Sequence, residues 1–75
     1  MADAKLSEIA LGQTRIIKQV ASGFLAAKMA DLGLYQGNTV SVIFKAPFGD
    51  PLAVSVGGTV VSLRLDEAEW ITLES

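Results

Sequence analysis

The chain contains no cysteine and no histidine. That removes disulfide staples, thiol nucleophiles and imidazole bases, and it removes the two side chains that most often build zinc and iron sites. Basic residues are scarce: Lys5, Arg15, Lys18, Lys28, Lys45 and Arg64 stand scattered against eight acids, for a net charge of −2. A nucleic-acid binder clusters its lysines and arginines to displace counterions from phosphates, so nucleic acid is not expected as a partner. No apolar run approaches the ~20 residues that span a bilayer, so no membrane insertion is expected. Met1 to Lys5 lacks the basic start and apolar stretch of a secretory signal, and a cytoplasmic location is the expectation. Only two prolines occur, both between Ala46 and Pro51.

What is present is a short chain rich in alternating apolar residues. Seventy-five residues make one domain, 1–75, with Met1 to Ala4 expected as a loose terminus. A domain this small buries only ~60% of its unfolded surface. With staples absent, compact packing, self-association or docking on a partner must supply its stability.

The alternation predicts strands over Thr14–Val20, Thr39–Lys45, Leu52–Val56, Thr59–Leu65 and Trp70–Glu74. Val40, Val42 and Phe44 are expected on one face of their strand, and Val61, Leu63 and Leu65 on one face of theirs. Between the first two strands the period changes: Leu25, Met29 and Leu32 recur at helical spacing over Ser22–Leu32. Ser22 is the expected N-cap, and Gly33 the left-handed residue that ends the helix. Gly57-Gly58 is a two-residue hairpin signal. Asp66 followed by Glu69 resembles a capping box and predicts a helical turn before the last strand. The fold class is therefore mainly β: a small five-stranded SH3-like barrel, with one helix after the first strand and a short helical turn before the last.

Candidate functional residues are few. The serines have no activating neighbour, Gly57-Gly58 lacks the lysine and helix of a phosphate loop, and no enzymatic activity is expected. Asp66, Glu67 and Glu69 are the candidate ligands for a weak divalent transition metal such as ferrous iron, although capping and solvation explain them without one. Asp31 sits in the last helical turn, against the macrodipole; it is either an exposed acid bearing a small penalty or one that accepts hydrogen bonds from a loop or pairs with Arg15 or Arg64. In the loop Ala46 to Pro51, Asp50 is expected to bond locally as an Asx-turn and Phe48 to fold back onto the barrel. Trp70 reads as core or rim. Phe24 and Lys28, four apart on the helix, with Tyr35 and Phe48, are the candidate surface for a protein partner or a second copy.

The stretches Asp31-Leu32-Gly33-Leu34 and Ala46-Pro47-Phe48-Gly49-Asp50-Pro51, followed by Gly57-Gly58, Leu63-Arg64 and Asp66-Glu67-Ala68, resemble the ferrous iron transport protein A (FeoA) family in order and spacing. The resemblance runs from Leu6 to Leu73. Gln36 stands where the family often has proline, and Lys28 is the sole charge from Gly23 to Ala30, a segment often more basic in the family. The resemblance implies an SH3-like fold and a small cytoplasmic companion of FeoB, the membrane ferrous iron transporter with a GTPase domain, acting by contact. The alternative is a metal-binding or metal-sensing SH3-like domain acting without the transporter. A peptide adaptor using an aromatic groove is a third reading, and ranks last because the aromatics are spread along the chain.

Overall fold

The computed structural model describes residues 3–21 and 23–75, with the Phe24 side chain outside the description. Six strands form one coiled antiparallel sheet: β1 (Ala4–Lys5), β2 (Thr14–Val20), β3 (Thr39–Lys45), β4 (Leu52–Val56), β5 (Thr59–Leu63) and β6 (Ile71–Leu73), in the order β1-β6-β2-β3-β4-β5. Helix α1 (Phe24–Asp31) joins β2 to β3, and the four-residue α2 (Leu65–Ala68) joins β5 to β6. A 3₁₀ turn, Leu6–Glu8, follows β1. The fold is mainly β and SH3-like.

Strand count and closure differ from the sequence expectation. The described residues form six strands, so α1 follows the second strand, and Ala4 belongs to β1 instead of a loose end. Two residues carry no readable period; β1 exists because Ala4 and Lys5 pair with Leu73 and Thr72. Among the described residues β1 and β5 are edges, and no ladder joins them. The 3₁₀ turn packs against α2 and β6, and Leu6, Ile9 and Ala68 are buried in the single core.

Alternation drives the sheet interior. Leu52, Val54 and Val56 of β4 all point inward, facing Val40 and Val42 of β3 and Val61 and Leu63 of β5. Two bulges break the pattern. Register shifts between Val42 and Phe44 as β3 meets β4, and the extra residue puts Ile43 and Phe44 both outside, 47% and 54% exposed. The expected inward Phe44 is thus corrected by a bulge, which turns the following side chain outward. The second shift, between Ile17 and Gln19 opposite β6, leaves Lys18 as the extra residue. Ile17 is buried, while Ile16 is largely exposed.

Helix α1 is shorter than expected and buries fewer residues. Gly23 occupies its N-cap position; Ser22 lies outside the described residues. At the other end Gly33 takes φ +94°. Its N–H donates to the Ala30 carbonyl at 2.9 Å, and the Leu34 N–H donates to the Met29 carbonyl at 2.9 Å. These two bonds form a Schellman motif, whose hydrophobic partners are Met29 and Leu34. Both are buried, whereas Leu32, expected in the core stripe, is 39% exposed. The chain leaves the helix before Leu32 can turn inward, and Leu34 fills that place.

Asp3 forms an ion pair with Lys18. The Lys18 ammonium, hydrogen-bonding the Asp3 carboxylate, holds that carboxyl below its ordinary range, and the same bond raises the lysine. The depressed acid contributes stability above its ordinary pKa and loses it as pH falls through the lowered value. The raised lysine contributes below its ordinary pKa and loses it as pH rises through the higher one. Both groups are solvated, so the effect is small. Thermal melts of Asp3→Asn and the unaltered chain are expected to differ slightly at pH 7, and to converge when the pH falls well below the carboxylate range.

Candidate protein-contact surface

Two surface features stand out, a cleft beside Tyr35 and an exposed loop carrying Phe48, at opposite ends of β3. The first is a cleft of about 290 Å³ between the end of β2 (Gln19, Val20), the Ala26–Ala30 face of α1, and the segment Leu34–Gln36. It exists because Ala26 and Ala30, one helical turn apart, have too little side chain to fill it. Tyr35 lines it and is 50% exposed. The turn bearing Tyr35 is fixed on both sides. The Asn38 N–H donates to the Tyr35 carbonyl at 3.1 Å, the Gly37 N–H to the Ile17 carbonyl at 2.8 Å, and the Asn38 side-chain amide to the Gly33 carbonyl at 2.8 Å.

The second feature is the loop from Ala46 to Pro51, beyond the other end of β3. Seven extended residues place it on the order of 20 Å from the Tyr35 turn. The Gly49 N–H donates to the Ala46 carbonyl at 2.7 Å and the Ala46 N–H to the Pro51 carbonyl at 3.1 Å, closing the loop on itself. Asp50 does not form the expected local Asx-turn. Its Oδ1 accepts from the Leu65 N–H at 3.2 Å, the first residue of α2, so a residue fifteen positions upstream caps that helix. Phe48 does not fold back. It is 94% exposed at the loop tip, outside the core to which Leu52, Val54 and Leu63 belong.

The cap of α2 therefore differs from the expected one. The N-cap position is Arg64, whose N–H donates to Glu67 Oε1 at 2.9 Å. Asp66 lies inside the helix, and its Oδ1 accepts the Glu67 N–H at 2.9 Å. Two of the three candidate metal ligands are thus engaged with main-chain donors. Among the described residues no three acids gather closely enough to hold a metal ion. The chain has no imidazole or thiolate, the donors that favour zinc and iron, and its carboxylates suit harder cations. Asp31 is exposed, and among the described residues it forms no ion pair with Arg15 or Arg64; the only such pair is Asp3–Lys18.

Of the four candidate contact residues, Tyr35 lines the cleft, Lys28 is exposed on α1 without lining it, and Phe48 stands alone at the far loop. Phe24 begins α1, and its side chain lies outside the description. Sequence reasoning missed the cleft, although two alanines spaced by four on a helix were its signal. It also missed the outward Ile43–Phe44 pair, because no residue type marks the bulge. Glycine, by contrast, marks its turns: Gly57 and Gly58, at φ +56° and +80°, join β4 to β5 as expected. Trp70 is partly buried and packs on the core.

The FeoA domain family matches residues 4–75. The chain belongs to the FeoA family. The solution structure of FeoA from Chlorobium tepidum is 36% identical, with a TM-score of 0.86 over 95% of this chain and 69% of its own. A crystal structure of the iron uptake regulatory protein FeoA is 26% identical and covers 97% of both chains, at a TM-score of 0.88. Stenotrophomonas maltophilia FeoA complexed with zinc, a prokaryotic SH3 domain protein considered as a ferrous iron transport activating factor, is 30% identical. It matches over 95% of this chain and 89% of its own, at a TM-score of 0.83. No curated protein matches the sequence. The family ties this FeoA chain to ferrous iron transport, and no helix among its described residues is long and apolar enough to cross a membrane.

Proposed function

We propose that this chain is a cytoplasmic accessory protein of ferrous iron uptake that works by contact with a FeoB-type membrane GTPase transporter, and that it performs no catalysis. The supporting observation is Phe48, an aromatic side chain 94% exposed on a loop held closed by its own main-chain bonds and by Asp50. A large apolar ring held in water by a fixed loop gains most when a partner pocket covers it. The cleft beside Tyr35, at the other end of β3, offers a second point of contact.

Immobilised chain is expected to retain the cytoplasmic GTPase domain of a FeoB-type transporter. Phe48→Ser is expected to weaken retention about tenfold, in the range of a single aromatic anchor, with the melting temperature unchanged. Full retention by Phe48→Ser would remove this residue from the contact, and no retention by the unaltered chain would remove the partner.

A second reading, a metal-binding or metal-sensing domain acting without the transporter, is favoured by the zinc held in the S. maltophilia relative. The donor set of this chain speaks against it. Titration calorimetry with zinc and ferrous ions is expected to give no micromolar binding by the isolated chain; micromolar or tighter binding would favour this second reading.

A further inference from the structure

The two edges of the sheet are treated differently. At β1 the edge is two residues long, and the Lys5 N–H is taken by Glu8 Oε1 at 2.8 Å. At β5 five residues, Thr59 to Leu63, run without charge, proline or bulge, the devices that usually blunt an edge. In a hairpin with a two-residue loop, the flanking pair Val56–Thr59 exchanges main-chain bonds. Alternation then turns Thr59, Val61 and Leu63 toward β4, and aims the N–H and C=O groups of Val60 and Ser62 away from the sheet. Beyond them the edge is closed, since the Arg64 N–H is held by Glu67 and its carbonyl accepts from Ala68. Val60 is 63% exposed, and Ser62 is also exposed.

We infer that β5 pairs antiparallel with β5 of a second copy of this chain, about a twofold axis at Val61. In that register Val60 of each copy faces Ser62 of the other. The four free N–H groups and four free C=O groups of the two edges all meet, leaving none over. No like charges oppose each other across the axis. Arg64, the one charged residue at the strand end, falls opposite Gly58, which has no side chain to obstruct it. A twofold pairing thus uses the whole open segment and stops where each edge is already capped. The contact is small beside the ~800 Å² per partner of a standard interface, so the dimer forms in the range of roughly 0.1–1 mM.

The test uses the whole chain in a sedimentation concentration series. The weight-average mass is expected to rise toward twice the 7.9 kDa of one chain, while the amides of Val60 and Ser62 become slower to exchange with solvent. The variants V60K/S62K and V60E/S62E place like charges opposite each other at both pairs. Each alone is expected to stay monomeric, and an equimolar mixture is expected to associate, since in the mixed pair every introduced lysine faces an introduced glutamate. Circular dichroism melts are the check that both variants fold. A chain that remains monomeric throughout the range overturns the inference, as does undiminished association of V60K/S62K, or a mixture that does not re-associate. Slowed exchange of the two amides only on adding an extended peptide from another protein also overturns it, and gives the edge to a different occupant.

Discussion

Leu34→Ala is expected to destabilise the domain by roughly 2–5 kcal/mol, the range for truncating a fully buried leucine. Leu34 is 0% exposed and sits against Met29, itself 1% exposed, at the point where the Schellman motif turns the chain out of α1. Its removal opens a void between the helix and the sheet, and also strips the hydrophobic contact that accompanies that cap. A 75-residue domain holds about 4–11 kcal/mol in total, so the loss is a large share. At ~4–8 °C per kcal/mol for domains of this size, the melting temperature should fall by at least about 8 °C. The control is Leu32→Ala. Helical periodicity assigns Leu32 to the core, but it is 39% exposed, and its truncation is expected to stay within ~0.5 kcal/mol. Denaturant unfolding of both variants decides it: a larger loss at position 32 than at 34 would mean that the helix lies on the barrel differently.

That pair of positions shows what the sequence could and could not reveal. Repeating signals survived. The alternation of Leu52, Val54 and Val56 needs no tertiary context to be read, and neither do the glycines at 33, 57 and 58, whose positive φ angles only glycine adopts cheaply. What stayed hidden depends on single events. The bulges at Ile43 and Lys18 each insert one unpaired residue, and a period-2 pattern continues past them in the sequence while its faces exchange in space. The bond from Asp50 to Leu65 joins positions fifteen apart, beyond any local capping rule, so Asp66 carried a local signature that the folded chain does not use. The same holds for the surface. Phe48 is legible as a loop aromatic, but whether it folds back depends on tertiary contacts that no local pattern encodes. The cleft beside Tyr35 depends on how α1 lies over β2.

Asp50→Ala tests whether the loop that carries Phe48 is held for binding. The Asp50 carboxylate accepts the N–H of Leu65, a donor that has no partner within α2 itself, and the acid also complements the positive end of that short helix. Losing it is expected to cost ~1–2 kcal/mol of stability, as for other helix caps. The second effect is on contact. With the bond gone, the loop from Ala46 to Pro51 keeps its internal bonds, Gly49 to Ala46 and Ala46 to Pro51, but loses its tie to α2, so the partner must fix its position on binding. Retention of the GTPase domain is expected to weaken about five- to tenfold. Asp50→Asn keeps a side-chain carbonyl oxygen as acceptor, and should recover most of the stability and most of the retention. The decisive comparison is with Phe48→Ser. If Asp50 acts on binding by presenting the phenylalanine, the double variant binds no more weakly than Phe48→Ser alone, because neighbouring effects through one group do not add. Additive losses would show that Asp50 touches the partner itself.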